Sequence, residues 1–283
     1  TKGCVAHHRV NVFALTLVSR VIRRYKLESM LYSRKRAIEL ARNVHVNQAP
    51  GEHMMVREKP LFLYEEIMLL ALRDEKGTIA TGFPEQVVAG AVIAELLLDN
   101  RISVEDTRKQ LVEIINERPV GDPVIDECLE KMATAKRRAS LKTWVQILAG
   151  VKNLRHKVAR QLCDRGILRA DEDKVLLLFK RRIYPEIDPM PEKKIIERLR
   201  TAIFTDHHRL DPRTVVLVSL ASGSDLLRQP FGRKEIKTRK ERIEQIANGD
   251  MTGKATKEVI AACQTALIIA AIMPAMISTT VNN

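Results

Sequence analysis

The sequence predicts a mainly α-helical protein: a compact helical domain with one projecting β-hairpin, preceded by a basic N-terminal arm. Three observations lead there. Apolar residues make up 45% of the 283 positions but aromatics only 4%, a Leu/Ile/Val/Ala-rich mix that suits packed helices better than a β-sandwich. Helical periodicity begins near Leu61 and recurs through most of the remaining chain. The formal charge of +13 is unevenly spread, with 10 Lys/Arg against 3 acids in residues 1–53. The chain therefore divides into a basic extension, 1–53, and a helical domain, 54–283. A basic balance implies an anionic partner, either a nucleic acid or a membrane surface.

Taken in order, the arm carries the basic clusters Arg23-Arg24 and Arg34-Lys35-Arg36 and ends in the polar, breaker-rich stretch 47–53. The first helix follows from the stripe Leu63, Ile67, Leu70 and Ala71 at i, i+4, i+7 and i+8. Glu65 and Glu66 sit in its first turn, where acids favour the positive helix end. Adjacent helical positions point apart, so this pair does not read as catalytic carboxylates. Lys76-Gly77 closes the segment. Pro84-Glu85 then opens EQVVAGAVIAELLLDN, apolar on most faces and small at Ala89-Gly90-Ala91, as a core helix requires. Further helices are expected at 105–117, 123–136, 140–164, 191–205, 211–228, 233–248 and 254–273. The single β signal runs from 164–168, through the polar turn Ala170–Lys174, into Val175–Phe179.

Val10–Ser19 and Ala266–Ile277 are apolar, but both fall short of the roughly 20 residues that a spanning helix needs. The second reads as a buried final helix that Pro274 ends or kinks. Cys4, Cys128, Cys163 and Cys263 lie far apart, without metal or redox spacing, which points to buried thiols in a reducing, cytoplasmic setting. No phosphate loop, dinucleotide fingerprint, nucleophile elbow or paired-His zinc helix is present. The cluster Asp206-His207-His208-Arg209-Leu210-Asp211 has diverging histidines and no third ligand at fixed spacing; it reads as a polar helix start, with Asp211-Pro212 opening the next helix. The chain is accordingly read as non-enzymatic, with no catalytic residue, metal or cofactor.

One segment carries more weight. If 151–162 is helical, Val151, Leu154, Val158 and Leu162 form its buried stripe. Lys152 and Arg155 then share its flank beside the small Ala159. Two such cations suit a phosphate monoester, Arg as a fork and Lys as a point charge.

Several blocks together resemble the Golgi phosphoprotein 3 family. LYEEIMLLALRDEKG (63–77) is similar to its opening helix and turn, and AELLLDNRI (94–102) to the end of its second core helix. TWVQILAG (143–150) resembles its tryptophan-containing helix. KNLRHKVARQLCDRGIL (152–168), followed by VLLLF (175–179), resembles its basic helix and hairpin. HHRLDPRTVVLVSLASGSDLL (207–227) is similar to the segments after them. The order is kept over about 55–280. The resemblance implies an almost all-helical domain that binds phosphatidylinositol 4-phosphate as a peripheral membrane adaptor. On the cytosolic Golgi face of a eukaryotic cell, its partners would be client membrane proteins retained through coatomer. The family's head-group pocket uses a loop Trp, an Arg on the next helix, and two basic residues three apart on a later helix. The last two fall at Lys152 and Arg155. The loop after Gly77 has Phe83 in place of the Trp, and the other Arg falls at about Ala89. These departures resemble a prokaryotic member more than a Golgi one, and leave a less specific anionic-lipid site.

Val175, Leu176, Leu177, Leu178 and Phe179 are too apolar for a free strand pair, so the hairpin should bury them in lipid, in the domain's own core, or in a second copy as a homo-oligomer. Two other readings compete. A helix followed by a hairpin resembles a winged helix that binds nucleic acid, but Asp171-Glu172-Asp173 makes the expected turn acidic, so nucleic acid is disfavoured. A protein-interaction scaffold without lipid binding is the other.

Overall fold

The structure, a computed structural model, describes residues 59–265 except 74–75, 81–84, 176–178, 208, 251–255 and 258; of 173–175 and 179–180 only the backbone is described. The apolar stretches Val10–Ser19 and Ala266–Ile277 and the basic clusters of the arm lie outside the described residues. From Pro60 onward these residues belong to one unit.

Helix α1 (Leu63–Ala71) is buried along its whole length. Its third residue closes the first turn, since Glu65 Oε2 accepts from the backbone N–H of Phe62 at 2.9 Å. The two-residue strands β1 (Leu72–Arg73) and β2 (Thr78–Ile79) form a small antiparallel hairpin around Gly77. Gly77 has φ +68, and a Cβ there would come within 1.9 Å of the Tyr184 carbonyl oxygen, so only glycine fits this approach. Helix α2 (Glu85–Leu98) is buried continuously from Val87 to Leu96. As its all-round apolar character requires, it forms the centre of the fold, packed on α1, on α4 (Leu141–Ala149), on α5 (Leu154–Asp164) and on α7 (Pro212–Gly223). α7 is the second core helix, buried from Thr214 to Ala221, and α10 (Lys240–Ala247) covers it.

The mainly helical class holds, but three two-stranded hairpins punctuate it among the described residues, and the sequence signalled one. The helix expected at 105–117 is instead a hairpin of β3 (Ile102–Val104) and β4 (Val112–Ile114). Leu111, Ile114 and Ile115 mimic a helical stripe. The deciding pattern has period two: Val112 is buried, Glu113 is exposed, and Ile115 stands 58% exposed. Helix α3 (Pro123–Ala133) appears where expected, capped by Asp122 Oδ1, which accepts from Val124 N and Ile125 N at 3.1 and 2.9 Å.

The single helix expected over 140–164 is broken in two. Gly150 ends α4, and Asn153 takes up left-handed backbone at φ 58 before α5 begins. Helix α6 (Met190–Phe204) matches expectation. The helix expected over 211–228 ends at Gly223, with left-handed Asp225 (φ 61) just beyond and a short α8 (Arg228–Phe231) following. The 233–248 segment splits at Arg239 into α9 (Arg233–Thr238) and α10. Residues 256–257 and 259–265 are helical. Cys128 and Cys263 are buried free thiols, each pushed up to about 12 chiefly by burial, while Cys163 is half-buried.

The main hairpin consists of β5 (Asp171–Val175) and β6 (Phe179–Ile183), with Val175 opposite Phe179 and Asp171 opposite Ile183. This corrects the sequence reading by half a hairpin. Residues 171–174 of the expected turn are strand, and of the expected second strand Val175 ends β5 and Phe179 begins β6. Acidic Glu172 and Asp173 stand opposite Arg182 and Arg181 in the register, a complementary pairing that favours this alignment over the apolar run as a strand. The acidic triplet is therefore in a strand and not in the turn, so an acidic turn no longer argues against a nucleic-acid wing.

Candidate functional site

Helix α1 is held in place by ion pairs buried at one end of its partners. Glu65 and Glu66 diverge, as adjacent helical positions must. Glu65 Oε2 accepts from Arg165 Nη1 at 2.6 Å, and its Oε1 from Gln161 Nε2 at 3.0 Å. Gln161 also donates to Asp122 Oδ2 at 2.6 Å and to the Tyr64 hydroxyl at 3.0 Å, while that hydroxyl donates to Asp122 Oδ1 at 2.6 Å. Glu66 Oε2 pairs with Arg198 Nη2 on α6 at 2.7 Å. On α2, Glu95 pairs with Arg213 on α7 and accepts from Leu63 N at 2.7 Å. Burial raises Glu65 and Glu66 above the ordinary carboxylate range, with their arginines opposing it. Glu65, Glu66 and Glu95 each have a basic partner from a later part of the chain, so the cluster works as scaffold.

Several cations lie at and after the start of α5. Val151, Leu154, Val158 and Leu162 are buried, as the stripe predicted. Lys152 is exposed in the turn before α5 and is not on the helix itself, because left-handed Asn153 intervenes. Arg155 is in the helix's first turn, and its Nε donates to Glu85 Oε1 at 2.7 Å. Ala159 is fully buried in the core and does not line the surface. Ala89 is fully buried on α2, so that position contributes nothing to a surface site. Phe83 lies outside the described residues; Glu85, two positions further on, is the residue Arg155 holds.

Sequence reasoning missed what stands next to Arg155. The His156 ring nitrogen Nδ1 shares a 2.8 Å hydrogen bond with the Tyr184 hydroxyl, just past β6. Tyr184 in turn is pinned to the first hairpin, its N–H donating to the Gly77 carbonyl at 2.8 Å. His156 is held below its ordinary range by burial first, then by the charges of Arg182 and Arg155, with Glu85 opposing. The neighbouring tyrosine is raised by burial, with Arg182 and Arg160 pulling the other way. The structure thus links Arg155 and His156 on α5 to the hairpin through Tyr184, with Arg182 two residues before that tyrosine, Lys152 in the turn before α5 and Arg160 further along the helix. His156 was adjacent to Arg155 in the sequence and could have been flagged there. Arg182 and Tyr184 needed the hairpin register.

Of the hairpin residues, the backbones of Val175 and Phe179 are paired; Leu176, Leu177 and Leu178 lie outside the described residues. The hairpin's root is tied down by Arg169 N–H to the Pro185 carbonyl and Ile187 N–H to the Ile167 carbonyl, both at 2.8 Å. Ile183 and Tyr184 are buried there, whereas Arg181 and Arg182 are exposed. Beyond the root, Ile187 and Met190 are exposed apolar residues.

At the same root Glu186 is pushed up to about 7 by desolvation and by the neighbouring Glu192 and Asp188. A carboxyl with a raised folded pKa binds its proton more tightly in the folded state. Stability therefore falls as pH rises from about 4.5 to about 7. Glu186→Gln is expected to flatten that part of a Tm-against-pH curve; an unchanged slope between those pH values would contradict the assignment.

An open cavity of about 580 Å³ lies between α6 and the start of α7, lined by Lys194, Arg198, His207, Arg209 and Asp211 among others. Arg198 is committed to Glu66. Asp211 caps α7, accepting from Thr214 N at 3.0 Å, the helix-start role predicted for it; His208 lies outside the described residues. Among the described residues no group of three or more His, Cys, Asp or Glu side chains is placed to hold a metal, and no helix is long and apolar enough to cross a membrane.

Comparison with known proteins adds two findings. The sequence model of the family described as Golgi phosphoprotein 3 (GPP34) matches residues 63–263, well over half of the chain. The chain is also similar to vacuolar protein sorting-associated protein 74 of Eremothecium gossypii, 25% identical over 207 residues, which cover 60% of this chain and 61% of that protein.

Proposed function

The chain belongs to the Golgi phosphoprotein 3 family, and from that premise we propose that it is a non-enzymatic, peripheral membrane adaptor that docks on anionic lipid. In this reading, residues 54–283 form the docking unit, and the basic segment 1–53 adds charge. The head-group site is the start of α5, where Lys152 and Arg155 meet a phosphate such as that of phosphatidylinositol 4-phosphate. Phe83 is assigned to the same site. The hairpin's apolar run, Val175, Leu176, Leu177, Leu178 and Phe179, enters the lipid interface or packs on a second copy. The protein is then cytoplasmic and peripherally bound, on the cytosolic Golgi face in a eukaryotic cell, with client membrane proteins as partners. The name of the similar fungal protein, which speaks of vacuolar sorting, supports a place in membrane traffic.

What supports this reading is a set of cations on α5 and in the turn before it, joined through Tyr184 to a hairpin whose sequence between the two strands is apolar. The magnitudes suffice. Partial insertion contributes about 0.8 kcal/mol per buried CH₂, and each nearby Lys or Arg about 1 kcal/mol on an anionic surface. Two apolar side chains with three or four cations give reversible, roughly micromolar docking. Nucleic-acid binding is disfavoured because an apolar run gives phosphates nothing to bind.

Glu85 sets the competition at the site, because a phosphate must replace its carboxylate on Arg155 Nε. Lys152→Ala with Arg155→Ala is expected to weaken binding to anionic vesicles at low salt by about 2 kcal/mol, roughly 30-fold. Glu85→Gln should act in the opposite direction. Unchanged vesicle binding by the double alanine variant would remove the proposed site.

A further inference from the structure

Arg182 lies on β6, three residues past Phe179, and is exposed. Arg182 is two residues before Tyr184, whose hydroxyl meets His156 on α5. His156 is next to Arg155 in the first turn of α5, and Lys152 stands in the turn just before it. Among the described residues, no hydrogen bond or ion pair holds the Arg182 guanidinium; Glu172 faces it across the ladder register as the nearest competing acid position. After burial, its charge holds the His156 pKa down, and it opposes the effect of burial at Tyr184, in keeping with the His156–Tyr184 hydrogen bond that joins the hairpin to α5.

We infer that Arg182 is a further head-group residue, so that a phosphate monoester is gripped between Lys152 and Arg155 on one side and the hairpin's Arg182 on the other. This rests on the lipid-docking reading above. Strand geometry supports it independently. At about 3.3 Å per residue, Arg182 sits roughly 10 Å from Phe179 along β6. An apolar face beds about 5–10 Å into the boundary between head groups and acyl chains. When the apolar run is at that depth, Arg182 is level with the lipid phosphates. Head-group capture and hairpin insertion then act through one element, and each helps the other.

The test uses the full chain with Arg182→Ala, Arg182→Lys and the Lys152→Ala/Arg155→Ala variant. Vesicles containing a 4-phosphoinositide are compared with phosphatidylserine vesicles of matched charge, and a soluble inositol 4-phosphate separates a lipid source of the phosphate from a free one. Loss of one contacting cation predicts that Arg182→Ala binds the phosphoinositide vesicles at least about fivefold more weakly. The loss on phosphatidylserine should be smaller, and Arg182→Lys should recover part of the difference. The soluble head group should shift the His156 ring resonances of the parent more than those of Arg182→Ala. In the ligand-free protein, Arg182→Ala should raise the His156 pKa, a change expected only if the two groups are neighbours; no rise would contradict the juxtaposition. If Arg182→Ala binds like the parent while the double variant does not, the inference fails and the lipid reading stands. Equal losses on both vesicle types would also overturn it, as they would mark general charge alone. A parent that binds neither vesicle nor head group would sink the underlying reading, and the inference with it.

Discussion

Glu65→Ala is expected to destabilise the helical unit by about 3–5 kcal/mol, the usual cost of removing one partner from a buried ion pair. The reason is the number of groups it leaves behind. Glu65 is fully buried. It accepts from the Arg165 guanidinium, the Gln161 amide and the Phe62 backbone N–H at 2.6, 3.0 and 2.9 Å. Alanine removes the one acceptor that all three share, at the point where α1, the segment before it and α5 meet. Gln161 is also shared with Asp122 and Tyr64, so the loss spreads to the residue that caps α3. Against a typical stability of about 5–15 kcal/mol, such a change removes a large share. Glu65→Gln keeps the shape and should cost less. Its deficit should shrink as pH falls through the ordinary Glu range, where the parental carboxyl, raised by burial, is protonated as well. Urea denaturation of the three proteins measures this. A Glu65→Ala cost below about 1 kcal/mol would show that the network relaxes around the loss and does not hold α1 in place.

The second large effect is expected at the hairpin. Leu177→Asp replaces a side chain in the apolar run with a charge that anionic lipid repels. Losing one buried leucine costs about 1.5–3 kcal/mol, and the repulsion adds about 1 kcal/mol more. Vesicle affinity should therefore fall a few hundredfold while the melting temperature stays within a degree or two. If affinity is retained and the oligomeric state changes by light scattering, the run packs on a second copy. If the melting temperature collapses instead, it is part of the core.

Much of the scaffold was legible because it rests on local patterns. α2 is apolar on all sides and is central. Asp211-Pro212 opens a helix, and the stripe from Val151 to Leu162 is buried. Elsewhere a pattern with two readings was settled by contacts far along the chain. Val112 and Ile114 became strand residues because Ile102 and Val104 were there to pair with them. The main hairpin was placed half a hairpin too early because its polar residues read as turn; only the pairing of 171–175 with 179–183 puts those charged residues in the strands. The candidate site was half legible. Lys152 and Arg155 were singled out as cations sharing a helix flank; Arg155 is in the first turn of α5, but Asn153 moves the lysine off the helix. Glu85, the carboxylate that occupies Arg155, is 70 positions away and left no mark in the sequence. Arg182 was unreadable for the same reason, since its place depends on a register that no local pattern encodes.

Docking on anionic lipid, the central claim, is tested most directly by co-sedimentation of the full chain with three kinds of vesicle: neutral, generally acidic, and containing a 4-phosphoinositide. Pelleting with both anionic kinds, strongest with the phosphoinositide, weakened by salt and absent with neutral lipid, is the predicted result. A chain that stays in the supernatant with all three, or pellets equally with neutral vesicles, would contradict it.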